Sequence, residues 1–291
     1  MIEPIFTGRL GNMMFQIAAA YAYSLKHGMD YIAPLWGNGL IGANNNTDKH
    51  IRDEGQVSDI MIKYLNWFPN IKRGNGMAQY FDGNYLKHFP NKKDEPTKNG
   101  FIRYEENGRH EYNEIPFNEN IVIDGYFQSE KYFKDYRKEI VELFSLQKHD
   151  LQGWTSIHVR RGDYVQFYNS FPPVTEVYLR TAMKVAARNC FSKFMVFSDD
   201  IAWCKQTINP AKYPEYKFEY SEGKSEYEDL CLGASCSNNI IANSSFSWWQ
   251  AWLNENPDKL VISPSKSNWF GKRVKLSTQD LIPDSWVQIA F

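Results

Sequence analysis

The chain has little that would lock it with disulfides or sink it into a bilayer. Its four cysteines, Cys190, Cys204, Cys231 and Cys236, are spread thinly, with no C-x-x-C pair and no histidine at zinc spacing. That pattern argues against a disulfide framework and against a structural metal site, and reads instead as reduced core thiols of a cytosolic protein. No stretch approaches the roughly 20 apolar residues that span a membrane. Met1 to Leu10 holds Glu3, Pro4 and Arg9 and lacks the apolar run of a signal peptide. The expected location is therefore the cytoplasm, with peripheral attachment to a membrane left open. Excess charge is missing as well: 33 Lys and Arg against 34 Asp and Glu leave a net charge of -1. A general nucleic-acid binder needs a basic surface, so that class is disfavoured.

What remains is a chain with 43% hydrophobic and 23% charged residues, ordinary for a globular protein, and 291 residues suffice for one large or two modest domains. Aromatic residues reach 16%, with nine Trp. Flat rings suit sugar faces, and they suit an aromatic core equally well. A strand-like Pro4–Thr7 enters Gly8-Arg9-Leu10-Gly11-Asn12, and helical spacing follows from Met13 to His27 with Gly28 as its stop. Residues 36 to 120, with Gly37, Gly39, Gly42 and Asn44-Asn45-Asn46, read as long loops and the expected acceptor side of a site. A helix is expected from Tyr132 to Phe144, and the polar stretch Gln147–Gly153 marks a boundary between residues 1–150 and 151–291. Beyond it, strands Thr155–Arg160, Lys193–Ser198, Tyr216–Tyr220, Asn239–Ala242 and Lys259–Ile262 alternate with helices Thr175–Asn189, Asp200–Thr207, Ser225–Cys236 and Phe246–Asn254. Such alternation predicts an α/β fold around a parallel sheet.

Three segments carry chemistry. The apolar strand ending in His158-Val159-Arg160-Arg161-Gly162-Asp163-Tyr164 places two guanidiniums at a strand's carboxyl end, where open α/β sheets bind ligands. Paired Arg can grip a diphosphate bidentately, although R-R-G-D alone reads as readily as a surface ion pair. Asn243-Ser244-Ser245 opens a helix after an apolar strand, which makes either an anion site or a simple cap. Asp229, with Glu226 and Glu228, lies in a helix first turn; it could accept from the N1-H and amino edge of guanine, or merely favour the helix dipole. No D-x-D tripeptide occurs. Without that metal anchor, arginines and a helix N-terminus are the physical substitute for neutralising a leaving diphosphate.

Taken together these segments resemble the α-1,2-fucosyltransferase family, glycosyltransferase family 11, of bacterial type. The opening pattern G-x-L-G-N-Q-M-F-Q matches Gly8 to Gln16 except at Met13; Gly125-Tyr126-Phe127-Gln128-Ser129-Glu130-Lys131-Tyr132-Phe133 matches the central segment. His158–Tyr164, Phe197-Ser198-Asp199-Asp200 and Asn243–Trp249 complete the set, with Gln250 where the family usually has Gly. The resemblance implies a GT-B-like fold of two Rossmann-like halves, with the donor site in the C-terminal half. It further implies metal-independent, inverting transfer of L-fucose from GDP-fucose to the 2-hydroxyl of a galactoside in surface glycan synthesis. By the same resemblance Arg160 holds the β-phosphate, His158 lies near guanine, Asp229 reads the base and Ser245 binds phosphate. Asn12 is a candidate at the reaction centre, and Arg161, Asp163, Asp199, Asn243 and Ser244 join the expected site. No cofactor is expected, and the general base is not assigned. The competing readings are a transferase with another linkage or nucleotide sugar, and an inactive GDP-sugar or glycan-binding protein.

Overall fold

In the computed structural model every strand pairing among the described residues is parallel, as the strand–helix alternation requires. The structure describes residues 1–34, 59–74, 96, 100–106 and 111–291. The glycine- and asparagine-rich loops from Gly37 to Asn46 lie outside the described residues. Two compact units are formed, Met1–Ser145 and Leu146–Phe291, against an expected division at 150.

In the first unit, β1 (Ile2–Pro4) is followed by the long helix α1 (Leu10–His27), then β2 (Ala33–Pro34), α2 (Asp59–Asn66), β3 (Arg73–Gly74), β4 (Ile102–Glu105) and β5 (Ile121–Asp124). The sheet order is β1-β5-β4, with β2 and β3 paired separately. Helix α1 buries nearly all of Leu10–Ser24, because its run of Met, Phe, Ile and Ala leaves few polar positions to face water. It ends where Gly28 adopts φ 62°, and the amides of Gly28 and Met29 close on the carbonyls of Leu25 and Ser24. Such a left-handed stop is nearly free for glycine and costly for a side chain. The expected helix Tyr132–Phe144 is instead two 3-10 turns, Glu130–Tyr132 and Lys134–Tyr136, followed by α3 (Arg137–Phe144).

The second unit runs β6 (Leu151–Val159), α4 (Gly162–Gln166), α5 (Glu176–Arg188), β7 (Lys193–Ser198), α6 (Ile201–Thr207), β8 (Lys217–Tyr220), α7 (Glu226–Ser235), β9 (Cys236–Ile240), α8 (Ser245–Leu253), β10 (Val261–Pro264), α9 (Lys266–Trp269) and β11 (Val287–Ile289). Its strands lie in the order β11-β10-β9-β6-β7-β8. In chain order from β6 this is the 3-2-1-4-5-6 arrangement of a Rossmann sheet, whose direction of winding reverses between β6 and β9. Thr175, Asp200 and Ser225 cap α5, α6 and α7 through their side chains, Ser225 and Glu228 forming a capping box.

The aromatic residues go largely to the core. Trp248, Trp249, Trp252, Trp269 and Trp286 are all buried, and the Trp248 indole donates to the Leu281 carbonyl at 2.9 Å. Cys204, Cys231 and Cys236 are buried free thiols, but Cys190 is exposed, so it is not the core residue the sequence suggested. Strand β9 begins at Cys236, where the sequence implied the end of a helix. Its asparagines disguise it: Asn239 donates to Ser156 Oγ at 2.7 Å and to the Gly233 carbonyl at 2.8 Å, and accepts from Asn254 at 2.8 Å. Those bonds remove the penalty for a polar side chain inside a sheet. Among the described residues no helix is long and apolar enough to cross a membrane.

Candidate active site

The sharpest sequence motif sits at the point where the second sheet reverses its winding. Chain leaving the end of β6 passes directly through Arg160 and Arg161 into α4. Arg160 bonds Asp163 Oδ1 at 2.5 Å and Asp199 Oδ2 at 2.7 Å, through its two terminal nitrogens. Arg161 bonds Asp200 Oδ2 through Nε at 3.0 Å, and its backbone amide donates to Asp199 Oδ1 at 2.8 Å. Its guanidinium lies 4.1 Å from the centre of the Trp203 ring, while that of Arg160 lies 5.5 Å from the Tyr164 ring. Hydrogen bonding to Arg161 lowers the Asp200 carboxyl below its ordinary range. Three carboxylates thus hold two guanidiniums in fixed orientations. Gly162 is needed for this packing, since a Cβ there would stand 2.6 Å from Asp199 Oδ2.

The family resemblance gives the β-phosphate to Arg160 and places Arg161 beside it in the expected site. The structure distinguishes them. Arg160 commits both terminal nitrogens to carboxylates, whereas those of Arg161 make no hydrogen bond among the described residues. Trp203 and Asp200, which orient Arg161, were not among the expected site residues. The signal for Asp200 was present in the Phe197–Asp200 segment at the end of β7; nothing local pointed to Trp203.

His158, the penultimate residue of β6, is buried and lies 5.2 Å ring-to-ring from Phe246. Burial pushes its imidazole down to about 4, with nearby Arg160 adding to the fall and Asp199 opposing it. It is therefore neutral at neutral pH, and its buried Nδ1 has no partner among the described residues.

The chain after β9 supplies the neighbouring wall. Ser244 is the N-cap of α8 by position, yet its side chain makes no capping bond, so the simple capping role is not what it performs. Ser245 is the first residue of that helix. Asn243 donates to the carbonyls of Pro172 and Trp269 at 3.0 and 2.9 Å, and its own carbonyl accepts from the Tyr164 hydroxyl at 3.1 Å. It ties loops together with its amide nitrogen, leaving a buried Oδ1 without a partner among the described residues.

Asp229, in the first turn of α7, accepts from the Ser221 hydroxyl at 2.5 Å. Burial raises its carboxyl above the usual range and the Ser221 bond pulls it back. Gln250, one of the departures from the family pattern, donates to the Asp229 carbonyl at 2.8 Å and lies against Gly233. Met13, the other departure, is buried in α1. Both side chains are packing elements of their own units. Asn12 belongs to the first unit, where its Oδ1 accepts from Gln128 Nε2 at 2.9 Å. Among the described residues no group of three or more His, Cys, Asp or Glu is arranged to hold a metal ion.

The fold and site thus define an α/β protein with a Rossmann-order parallel sheet, whose charged groups converge at the carboxyl ends of the strands where the winding reverses. The family model described as Glycosyl transferase family 11 matches residues 97–290, and the chain belongs to that family. Among relatives, the chain is 27% identical over 308 residues to an alpha-1,2-colitosyltransferase of Escherichia coli, covering 97% of this chain and 96% of that protein. It is 28% identical over 164 residues to the galactoside 2-alpha-L-fucosyltransferase SEC1 of Bos taurus, covering 49% and 44%. The crystal structure of the fucosyltransferase NodZ from Bradyrhizobium is similar with a TM-score of 0.48 at 13% identity, over 91% of this chain and 95% of that one.

Proposed function

We propose that this glycosyltransferase moves L-fucose from GDP-fucose to the 2-hydroxyl of a galactoside, with inversion and without a metal. The observation that carries the reading is the pair of carboxylate-held guanidiniums at the end of β6, in a chain of this family. In an inverting transfer the acceptor oxygen attacks the anomeric carbon directly, so no protein nucleophile is required. The bond from that carbon to the β-phosphate oxygen breaks, and negative charge gathers on the diphosphate. Arg161 offers its terminal nitrogens to that charge at once. Arg160 reaches it by exchanging Asp163, the more exposed of its two partners, for a phosphate oxygen. Donors aimed in advance at developing charge are worth about 3 to 4 kcal/mol each in comparable sites. The amides and hydroxyls of Ser244 and Ser245 at the start of α8 assist, while neutral His158 and the Asp229 carboxylate face the base of the nucleotide. The GT-B-like pairing of a donor and an acceptor half belongs to the same proposal.

Incubation with GDP-fucose, measuring GDP release with and without lactose, tests this. Release that depends on lactose supports fucosyl transfer; no release in either case refutes it. The full-length similarity to a colitosyltransferase supports a second reading, in which the donor sugar is colitose. GDP-activated colitose in place of GDP-fucose separates the two.

A further inference from the structure

The two arginines at the end of β6 are restrained by different chemistry, and the difference lies in an aromatic ring. Arg160 spends both terminal nitrogens on carboxylates, Asp163 and Asp199. Among the described residues the Arg161 side chain has one carboxylate partner, Asp200, which takes only Nε, at 3.0 Å. The second restraint on its guanidinium is the face of Trp203, 4.1 Å from the ring centre. An aromatic face attracts a cation through its quadrupole and takes up none of the N–H groups that lie in the guanidinium plane. A carboxylate in the same place would have consumed them. The terminal nitrogens of Arg161 therefore keep their donors although the side chain is only 19% exposed, and they are not sealed from solvent.

Ring and carboxylate are set as one piece. Trp203 is the third residue of α6, and Asp200 is the N-cap of that helix. Asp200 Oδ1 accepts from the Trp203 amide at 3.1 Å while its Oδ2 accepts from Arg161 Nε. The Asp200 amide in turn donates to Ser198 Oγ at 2.9 Å. One carboxylate thus caps the helix and fixes the guanidinium over a ring on that helix's first turn. Cys204, the next residue, is buried in the core of the second unit, and Trp203 packs against that core, which anchors the ring. We propose that Trp203 is the positioning residue behind this unit's grip on a diphosphate, holding Arg161 so that its terminal nitrogens meet the β-phosphate. The inference rests on the nucleotide-sugar reading above. A guanidinium free to rotate loses that freedom on binding, at a cost in side-chain entropy; one already stacked on a ring has little left to lose. A nucleoside monophosphate has no β-phosphate, so the ring's contribution falls on GDP and hardly on GMP.

Calorimetric titration with GDP and with GMP reads this grip directly, whichever sugar the donor carries. The wild type should bind GDP more tightly than GMP. Trp203→Leu keeps an apolar side chain and removes the aromatic face. It should cut the preference for GDP over GMP by about 3- to 10-fold and leave GMP affinity little changed. An undiminished preference would overturn the assignment, and so would equal losses for both nucleotides, which is how a merely structural residue would act. Because the ring works through Arg161, the leucine substitution should add no further loss of preference in an Arg161→Ala background; an additive loss there would also overturn it. If the leucine variant does not fold by thermal melting, Trp203→Phe carries the same comparison, since its smaller ring holds a cation less strongly. A lowered preference then supports the assignment and an unchanged one refutes it. A wild type that binds neither nucleotide would refute the nucleotide-sugar reading and this assignment with it. A wild type that prefers GDP, beside a Trp203→Leu variant with the same preference, refutes the assignment alone.

Discussion

Arg160 and Asp229 are where a single side chain is asked to recognise one part of a nucleotide sugar. Arg160→Lys keeps the charge but loses the fork that spans Asp163, Asp199 and, in the proposal, the β-phosphate. Its kcat should fall by at least about tenfold, the fold-change that corresponds to about 1.4 kcal/mol, because an ammonium cannot reproduce two parallel contacts. Steady-state turnover with GDP-fucose checks this, and near-wild-type kcat would reduce Arg160 to a structural pair. Asp229→Ala should weaken GDP binding by about 1 to 3 kcal/mol, through guanine donors left unpaired. The effect should fall on the KM for the donor, since the base is remote from the breaking bond. Calorimetric titration with GDP decides it: unchanged affinity would leave Asp229 only its bond to Ser221. At this scale the sequence names the chemical types but not the partners that restrain them. That Arg161 keeps its terminal nitrogens available follows from Asp199 and Asp200, which come directly after the neighbouring strand β7.

Elements were more legible than single contacts. Strand β7 lies at the expected Lys193–Ser198 and α5 within one residue of its expected ends, because Thr175 and the apolar alternation are local signals. Strand β9, expected at Asn239–Ala242, lies at Cys236–Ile240; its start was missed because asparagine disfavours strands unless its amide is satisfied, and the satisfying groups, Ser156 and Asn254, are far away in sequence. Strand β6 makes a prediction of its own. It buries His158, whose imidazole is held at about 4 against an ordinary 6.5. Between those values the unfolded chain binds the proton and the folded chain does not. This contribution to stability is therefore whole above pH 6.5 and is lost as pH falls toward 4, by up to about 1.4 kcal/mol per pH unit. Glu106, Asp124 and Asp229, carboxyls raised by burial, act in the opposite sense, so the comparison must isolate the histidine. Melting temperatures at pH 7 and pH 4.5 should differ more for the wild type than for His158→Gln. Equal differences would show that the imidazole is not kept neutral by the fold.

For the molecule as a whole, the expectation is transfer that survives a chelator. The chain has no D-x-D tripeptide, and the proposed neutralisation of the diphosphate is by guanidiniums and the start of α8. GDP release with lactose should be the same with EDTA as without it; loss of activity restored by Mg²⁺ or Mn²⁺ would refute arginine-only neutralisation. The sequence by itself determined the alternation of strands and helices in the second unit, the capping of its helices and the residues from which a diphosphate site could be built. These depend on interactions within a few residues, such as the Ser225–Glu228 capping box. Only the tertiary structure decided which carboxylate restrains each arginine and that His158 is neutral. Those outcomes come from burial and from partners distant along the chain, as Asp199 is from Arg161. Desolvation is set by what the whole fold packs around a group, and no local pattern of residues encodes it.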